Sequence, residues 1–166
     1  MLFRSLGTNN IVYRSSPVQV GSDTTWSQIS GAIFYSIATK SDGTLWAWGI
    51  NSSGQLGDGT VINRSSPVQI GALTTWLSVS GGRYNSVAIK TDGTLWTWGR
   101  NNYGQLGDNT IVDRSSPVQV GAGTNWSSLA QGIYTAVAAI KTDGTLWTWG
   151  RNDNGQIGDG TIINRS

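Results

Sequence analysis

The chain has no cysteine and no histidine, and all nine of its acidic residues are aspartate. Without cysteine there is no disulfide framework and no thiolate site. Cys and His are the usual zinc and copper ligands, so their absence argues against a transition-metal site. His is also the commonest general base, and its absence weakens any case for triad chemistry. Methionine occurs once and glutamate never, which leaves few good helix formers. Charge is scarce as well. The 11 basic residues are spread without runs and the net charge is only +2. A nucleic-acid binder carries a basic cluster, so the charge argues against that class of partner. No apolar stretch approaches the roughly 18 residues that span a bilayer. Met1-Leu2-Phe3-Arg4-Ser5-Leu6 is too short for a signal peptide.

What is abundant is glycine, at 23 residues, together with Ser, Thr and Asn. These residues favour strands, turns and caps over helix interiors. The expected class is all-β.

Three tandem copies organise the 166 residues. Arg-Ser-Ser-Pro-Val-Gln begins at Arg14, Arg64 and Arg114, which marks repeats at 14–63, 64–113 and 114–164 of one repeat domain. The first two agree at more than half of their positions. A period in this range signals a solenoid, propeller or array. The third copy holds one extra residue. Alignment of Ala136-Val137-Ala138-Ala139-Ile140 with Ser86-Val87-Ala88-Ile89 puts it mid-strand, as a β-bulge.

Each copy contains Lys-Ser/Thr-Asp-Gly-Thr-Leu-Trp-x-Trp-Gly. Asp-Gly is a strong hairpin signal, here read as a two-residue type I′ turn at Asp42-Gly43, Asp92-Gly93 and Asp143-Gly144. The turn accounts for these aspartates better than a functional carboxylate does. In the second copy strand A is expected at Thr75 to Ser80, B at Asn85 to Lys90, and C at Thr94 to Gly99. Strand D is expected at Pro67 to Ile70 and again at Pro117 to Val120. A Pro-led strand D suits an outer edge. Four antiparallel strands in about 50 residues make a propeller blade, so three such blades are expected. Three tryptophans recur per copy, among them Trp48, Trp98 and Trp149. Packing between blades accounts for them better than an aromatic ligand platform, because the positions recur in every copy.

The run Trp98-Gly99-Arg100-Asn101-Asn102-Tyr103-Gly104-Gln105-Leu106-Gly107-Asp108, after Thr91-Asp92-Gly93, resembles the regulator-of-chromosome-condensation repeat. Trp-Gly-x-Asn-x-x-Gly-Gln-Leu/Ile-Gly occurs at Trp48-Gly49, Trp98-Gly99 and Trp149-Gly150. The resemblance implies a β-propeller, seven-bladed in typical members, that binds proteins. Members include a nucleotide-exchange factor for a small GTPase that binds chromatin, ubiquitin-ligase modules and a β-lactamase inhibitor. The family's common His near the start of strand B is replaced here by Tyr35, Asn85 and Thr135, and no exchange-factor residue is carried over. Three blades cannot close a ring. Either the chain is part of a longer array or several chains complete one ring, a homo-oligomer of six blades being one solution.

Other chemistry is weak. Gly54 to Thr60 is glycine-rich but lacks the Lys-Ser/Thr of a phosphate loop. Asn152-Asp153-Asn154-Gly155 lacks the alternating carboxylates of a calcium loop. The sequons opening at Asn51, Asn63, Asn125 and Asn164 are what an Asn- and Ser-rich chain produces by chance. No cofactor is implied. The leading reading is a non-enzymatic module for protein–protein interaction. A structural array of a large surface or adhesive protein comes second, and a propeller lyase or hydrolase using Asp and Arg comes third.

A partner surface is expected where the copies differ. The Lys-Ser/Thr-Asp-Gly turn barely changes, whereas the A–B corner and the start of the C–D loop do. Those positions carry Arg83, Tyr84, Arg100, Tyr103, Tyr134 and Arg151, and Tyr and Arg dominate interface energetics.

Overall fold

The computed structural model describes residues 7–8, 15–130 and 135–166. Among them there is no helix. The first sheet runs in the order β1 (Trp26–Gly31), β2 (Tyr35–Lys40), β3 (Leu45–Gly49), β4 (Arg64–Gln69). The second repeats it with β5 (Trp76–Gly81), β6 (Asn85–Lys90), β7 (Leu95–Gly99) and β8 (Arg114–Gln119). The third has three strands, β9 (Trp126–Leu129), β10 (Ala136–Lys141) and β11 (Leu146–Gly150). Its fourth strand is represented only by an antiparallel bridge between Gly150 and Arg165. That bridge has the register of Gly49 with Arg64 and of Gly99 with Arg114. All pairings are antiparallel, as in propeller blades, and the ring is not closed.

Strand D differs from the expectation. It begins at Arg64 and Arg114, not at the proline, which falls in its fourth position. Serine-rich Arg-Ser-Ser reads as turn by composition. Pairing of the arginine with the Trp-Gly glycine draws it into the sheet. The proline is tolerated because β4 and β8 are edge strands.

The Asp-Gly turn also differs. Asn109 is the only non-glycine with positive φ among the described residues, so Asp42, Asp92 and Asp143 are not left-handed. Gly43, Gly93 and Gly144 alone take φ of 77°, 76° and 82°. Gly43 N–H donates to Lys40 O at 2.9 Å and Lys40 N–H to Thr44 O at 3.0 Å. This is a three-residue hairpin, a type I turn closed by a glycine bulge, and not the two-residue type I′ turn. The aspartate stays right-handed because its Oδ1 accepts from Thr44 N at 2.9 Å and from Thr44 Oγ1 at 2.7 Å. The other two copies repeat both bonds.

The extra residue of the third copy is not a mid-strand bulge. Strand β10 pairs with β11 without interruption, from Ala136 opposite Gly150 to Ile140 opposite Leu146. The repeat offset changes between Ala130 and Thr135, across residues that lie outside the described ones. Ala136, and not Thr135, is therefore the counterpart of Tyr35 and Asn85. The register shift between strands A and B recurs in all three sheets and is a property of the blade.

The core lies between sheets. Ile37, Leu45 and Ala47 of the first sheet pack with Trp76, Val79, Ala88 and Trp98 of the second. Val87, Ile89 and Leu95 of the second pack with Trp126, Val137, Ala139 and Trp149 of the third. Each side chain points to the face its alternation dictates. Strand ends are tied across the same gap. Trp76 N–H donates to Gly43 O and Trp126 N–H to Gly93 O, each at 3.1 Å. Where no further sheet follows, the same positions lie open: Leu45 and Leu95 are 0% exposed, and Leu146 is 67% exposed.

Gly93 sits in this contact, and a Cβ there would lie 2.1 Å from Thr124 O. Gly144 takes the same left-handed conformation with nothing within 4 Å. Gly93→Ala is expected to cost about 3 kcal/mol or more, from clash plus left-handed strain, and Gly144→Ala only about 1 kcal/mol from strain. Urea unfolding of the two variants measures the difference.

Candidate protein-interaction surface

Most of the recurring polar residues hold the blade together. The Lys40 ammonium lies 3.8 Å from the Trp46 ring centroid and 4.9 Å from that of Trp26. Lys90 and Lys141 stack in the same way on their own tryptophan pairs. Trp46, Trp96 and Trp147 donate Nε1–H to the turn threonine at 2.8, 2.8 and 3.0 Å. Trp98 and Trp149 donate instead to the carbonyls of Gln55 and Gln105 in the preceding copy, at 3.0 and 3.1 Å. Four of the nine tryptophans (Trp76, Trp98, Trp126 and Trp149) belong to the inter-sheet clusters, as packing between blades requires.

The C–D loop is organised by an asparagine that sequence reading passed over. Asn51, Asn101 and Asn152 are all fully buried. Asn51 Oδ1 accepts from Leu56 N at 2.9 Å, and its Nδ2 donates to Thr60 O at 3.0 Å and Asp58 at 3.1 Å. Recurrence in Trp-Gly-x-Asn was the signal for it. The loop is closed by ion pairs Asp58–Arg64, Asp108–Arg114 and Asp159–Arg165, which join the Gly-Gln-Leu/Ile-Gly-Asp run to the Arg-Ser that follows it. Burial would raise the Asp58 and Asp108 carboxyls, but bonds from threonine and arginine hold both below the usual range. In the more open third copy, bonds from Thr161 and Arg165 hold Asp159 at about 2.

Five of the six candidate contact residues are described, and all five are half-buried. Tyr134 lies outside the described residues. Arg83 and Arg100 flank one ring, with guanidinium carbons 5.2 and 5.6 Å from the Tyr84 centroid. Phe34 of the first blade packs on Tyr84 at 5.6 Å. Sequence reading left Phe34 out of the site, although an aromatic fifty positions before Tyr84 was visible. Arg151 lies 5.0 Å from the Tyr103 ring and donates Nε–H to Asp153 at 2.8 Å. Arg151 thereby holds the Asp153 carboxyl below the usual range. The geometry is two arginine–tyrosine clusters, one within the second blade and touched by Phe34 of the first, the other joining Tyr103 of the second to Arg151 of the third.

Not all of the variable corner is surface. Tyr35 is fully buried and its hydroxyl donates to Asn85 O of the next blade at 2.5 Å, with Ser86 Oγ at 2.8 Å. Burial pushes that phenol well above its ordinary range. Asn85 is 2% exposed. Variation between copies at these two positions is therefore variation inside the protein, not on its surface.

The profile of the regulator of chromosome condensation (RCC1) repeat matches residues 42–89, 92–139 and 143–166, and a second profile of that repeat matches 76–105. No curated protein matches the sequence. Among solved structures, the chain is similar to Prp20p of Saccharomyces cerevisiae, described with its binding to Gsp1p and histones. Identity is 18% and the TM-score 0.85, over 97% of this chain and 42% of that one. Human WBSCR16 gives 23% identity and a TM-score of 0.72, over 91% of this chain and 41% of that one. The yeast protein bound to Kap60 gives 17% and 0.81, over 97% and 41%. The chain therefore spans about two fifths of the length of these structures. It belongs to the RCC1 repeat family.

Proposed function

We propose that the chain is a non-enzymatic module that binds a protein partner. The partner docks on the A–B and C–D corners, with Arg83, Tyr84, Arg100, Tyr103 and Arg151 in contact. The observation that carries this is the pair of arginine–tyrosine clusters at positions the repeat leaves free to vary. Such side chains supply most of the energy of protein interfaces. The binding of Prp20p to Gsp1p and histones is in keeping with it. The non-enzymatic part rests on the aspartates. Each of the nine accepts a hydrogen bond from a neighbouring side chain or amide, which gives each a structural role in its turn or loop.

The test is affinity capture with the wild-type chain, then titration of the recovered partner. Replacing Arg83, Arg100 and Tyr103 together by Ala should weaken binding at least tenfold, or about 1.4 kcal/mol, with Tm nearly unchanged. Survival of binding in that variant, with loss on altering Asp23 and Leu73, would move the site to the D–A loops.

A second reading is favoured by the open ends. Ile140 and Leu146 are 40% and 67% exposed on the outer face of the third sheet. Ile29 is 64% exposed on the first, where its counterpart Val79 is 4%. In this reading a second copy stacks head to tail and completes a ring. Light scattering then gives twice the chain mass at micromolar concentration, and a stable monomer rejects it.

A further inference from the structure

Beside each Trp–Trp–Lys stack lies a cleft bordered by the D–A loop, and the three clefts are not equivalent. In the first blade Asp23 occupies it and pairs with the Lys40 ammonium. Asp23 is itself fixed by Thr25 N and Thr25 Oγ1, at 2.9 and 2.6 Å. Fifty residues on, Leu73 stands in its place and lines the second cleft. In the third blade the place falls to Gly123, and the cleft of about 370 Å³ is lined by Gly123, Trp126, Lys141, Trp147, Arg165 and Ser166 among others, none of them acidic.

Two groups there lack a partner: an ammonium that a carboxylate meets in the first blade, and an indole N–H of the kind that Trp76 of the second blade also leaves without an acceptor. Among the described residues no carboxylate pairs with the Lys141 ammonium, which rests 4.1 Å from the Trp147 ring centroid. The indole Nε1–H of Trp126 has no acceptor, although the residue is only 9% exposed. A Cβ at position 123 would sit 3.5 Å from that nitrogen, so a group occupying the vacant side-chain position passes over it. A buried donor without an acceptor is destabilising until something accepts from it. An ammonium beside two aromatic faces and an N–H together suit an anion with two acceptor oxygens. Clefts at the same place in the first and second blades are bordered by Ser66-Pro67 and Ser116-Pro117, where the third is bordered by Arg165 and Ser166.

We propose that the third blade's cleft binds a carboxylate, the Asp or Glu side chain of a partner protein, in the position Asp23 fills in the first blade. One carboxylate oxygen accepts from Lys141 and the other from Trp126 Nε1–H. The site is separate from the arginine–tyrosine clusters and does not rest on them.

The test follows the Trp126 indole N–H resonance of the ¹⁵N-labelled 166-residue chain during titration with acetyl-Gly-Asp-Gly-amide and with acetyl-Gly-Asn-Gly-amide. The Asp peptide is expected to move the resonance saturably, and the Asn peptide to need at least tenfold more for the same shift. Gly123→Asp places a carboxylate at the position of Asp23, at a residue whose φ is not positive, and is expected to abolish the response. Lys141→Met is expected to weaken it at least tenfold. Arg83→Ala, on the other surface, is expected to leave it unchanged. No shift with either peptide means the N–H is met by water alone and overturns the proposal. Equal shifts with both peptides, or an unaltered response in Gly123→Asp, overturn it as well.

Discussion

The indole of Trp98 donates a hydrogen bond backward, across the gap between sheets, to the carbonyl of Gln55 in the preceding copy. That bond needs a close approach that glycine provides. A Cβ on Gly57 would lie 2.6 Å from Trp98 Nε1. The same arrangement joins Trp149 to Gln105 beneath Gly107. A four-stranded sheet of this length has two apolar faces and no core of its own. Its stability comes from the neighbour that covers it, as in other repeat architectures. The Trp-Gly and Gly-Gln-Leu/Ile-Gly motifs are the two halves of one joint, and they sit in different copies because the joint is between copies.

That arrangement explains what was legible in the sequence. The all-β class, the blade and the antiparallel strand order follow from period, alternation and Asp-Gly turns, because these are local signals. Tryptophan packing between blades was legible because the residues recur at fixed phase. The turn type was not: Asp-Gly fits two hairpins, and the choice is made by the Thr44 hydroxyl binding Asp42 and by Gly43 meeting the next blade at Thr74 O. Strand D was misplaced because Arg-Ser-Ser looks like a turn until its pairing with the Trp-Gly glycine is seen. The third copy's extra residue was misplaced because small residues align in either register.

The candidate site was legible only in part. Variation between copies picked out Arg83, Tyr84, Arg100, Tyr103 and Arg151, which do cluster. The same criterion drew attention to Tyr35 and Asn85, which are buried. Phe34 escaped because its contact with Tyr84 crosses from one blade to the next. Functional groups therefore fall into two sets, those that the joint fixes and those at the corners and clefts that it leaves free.

The central claim is that the joint between copies, more than the contacts within a sheet, holds the fold. Trp96 and Trp98 test it, being two residues apart on one strand. Trp96 bonds to its own turn threonine, and Trp98 bonds to the preceding copy. Phenylalanine at either position removes an indole N–H and some bulk. Urea unfolding should show Trp98→Phe costing about 2–4 kcal/mol, from a buried bond lost and a cavity opened, against about 1 kcal/mol for Trp96→Phe. Equal losses, or a larger loss for Trp96→Phe, would contradict the account.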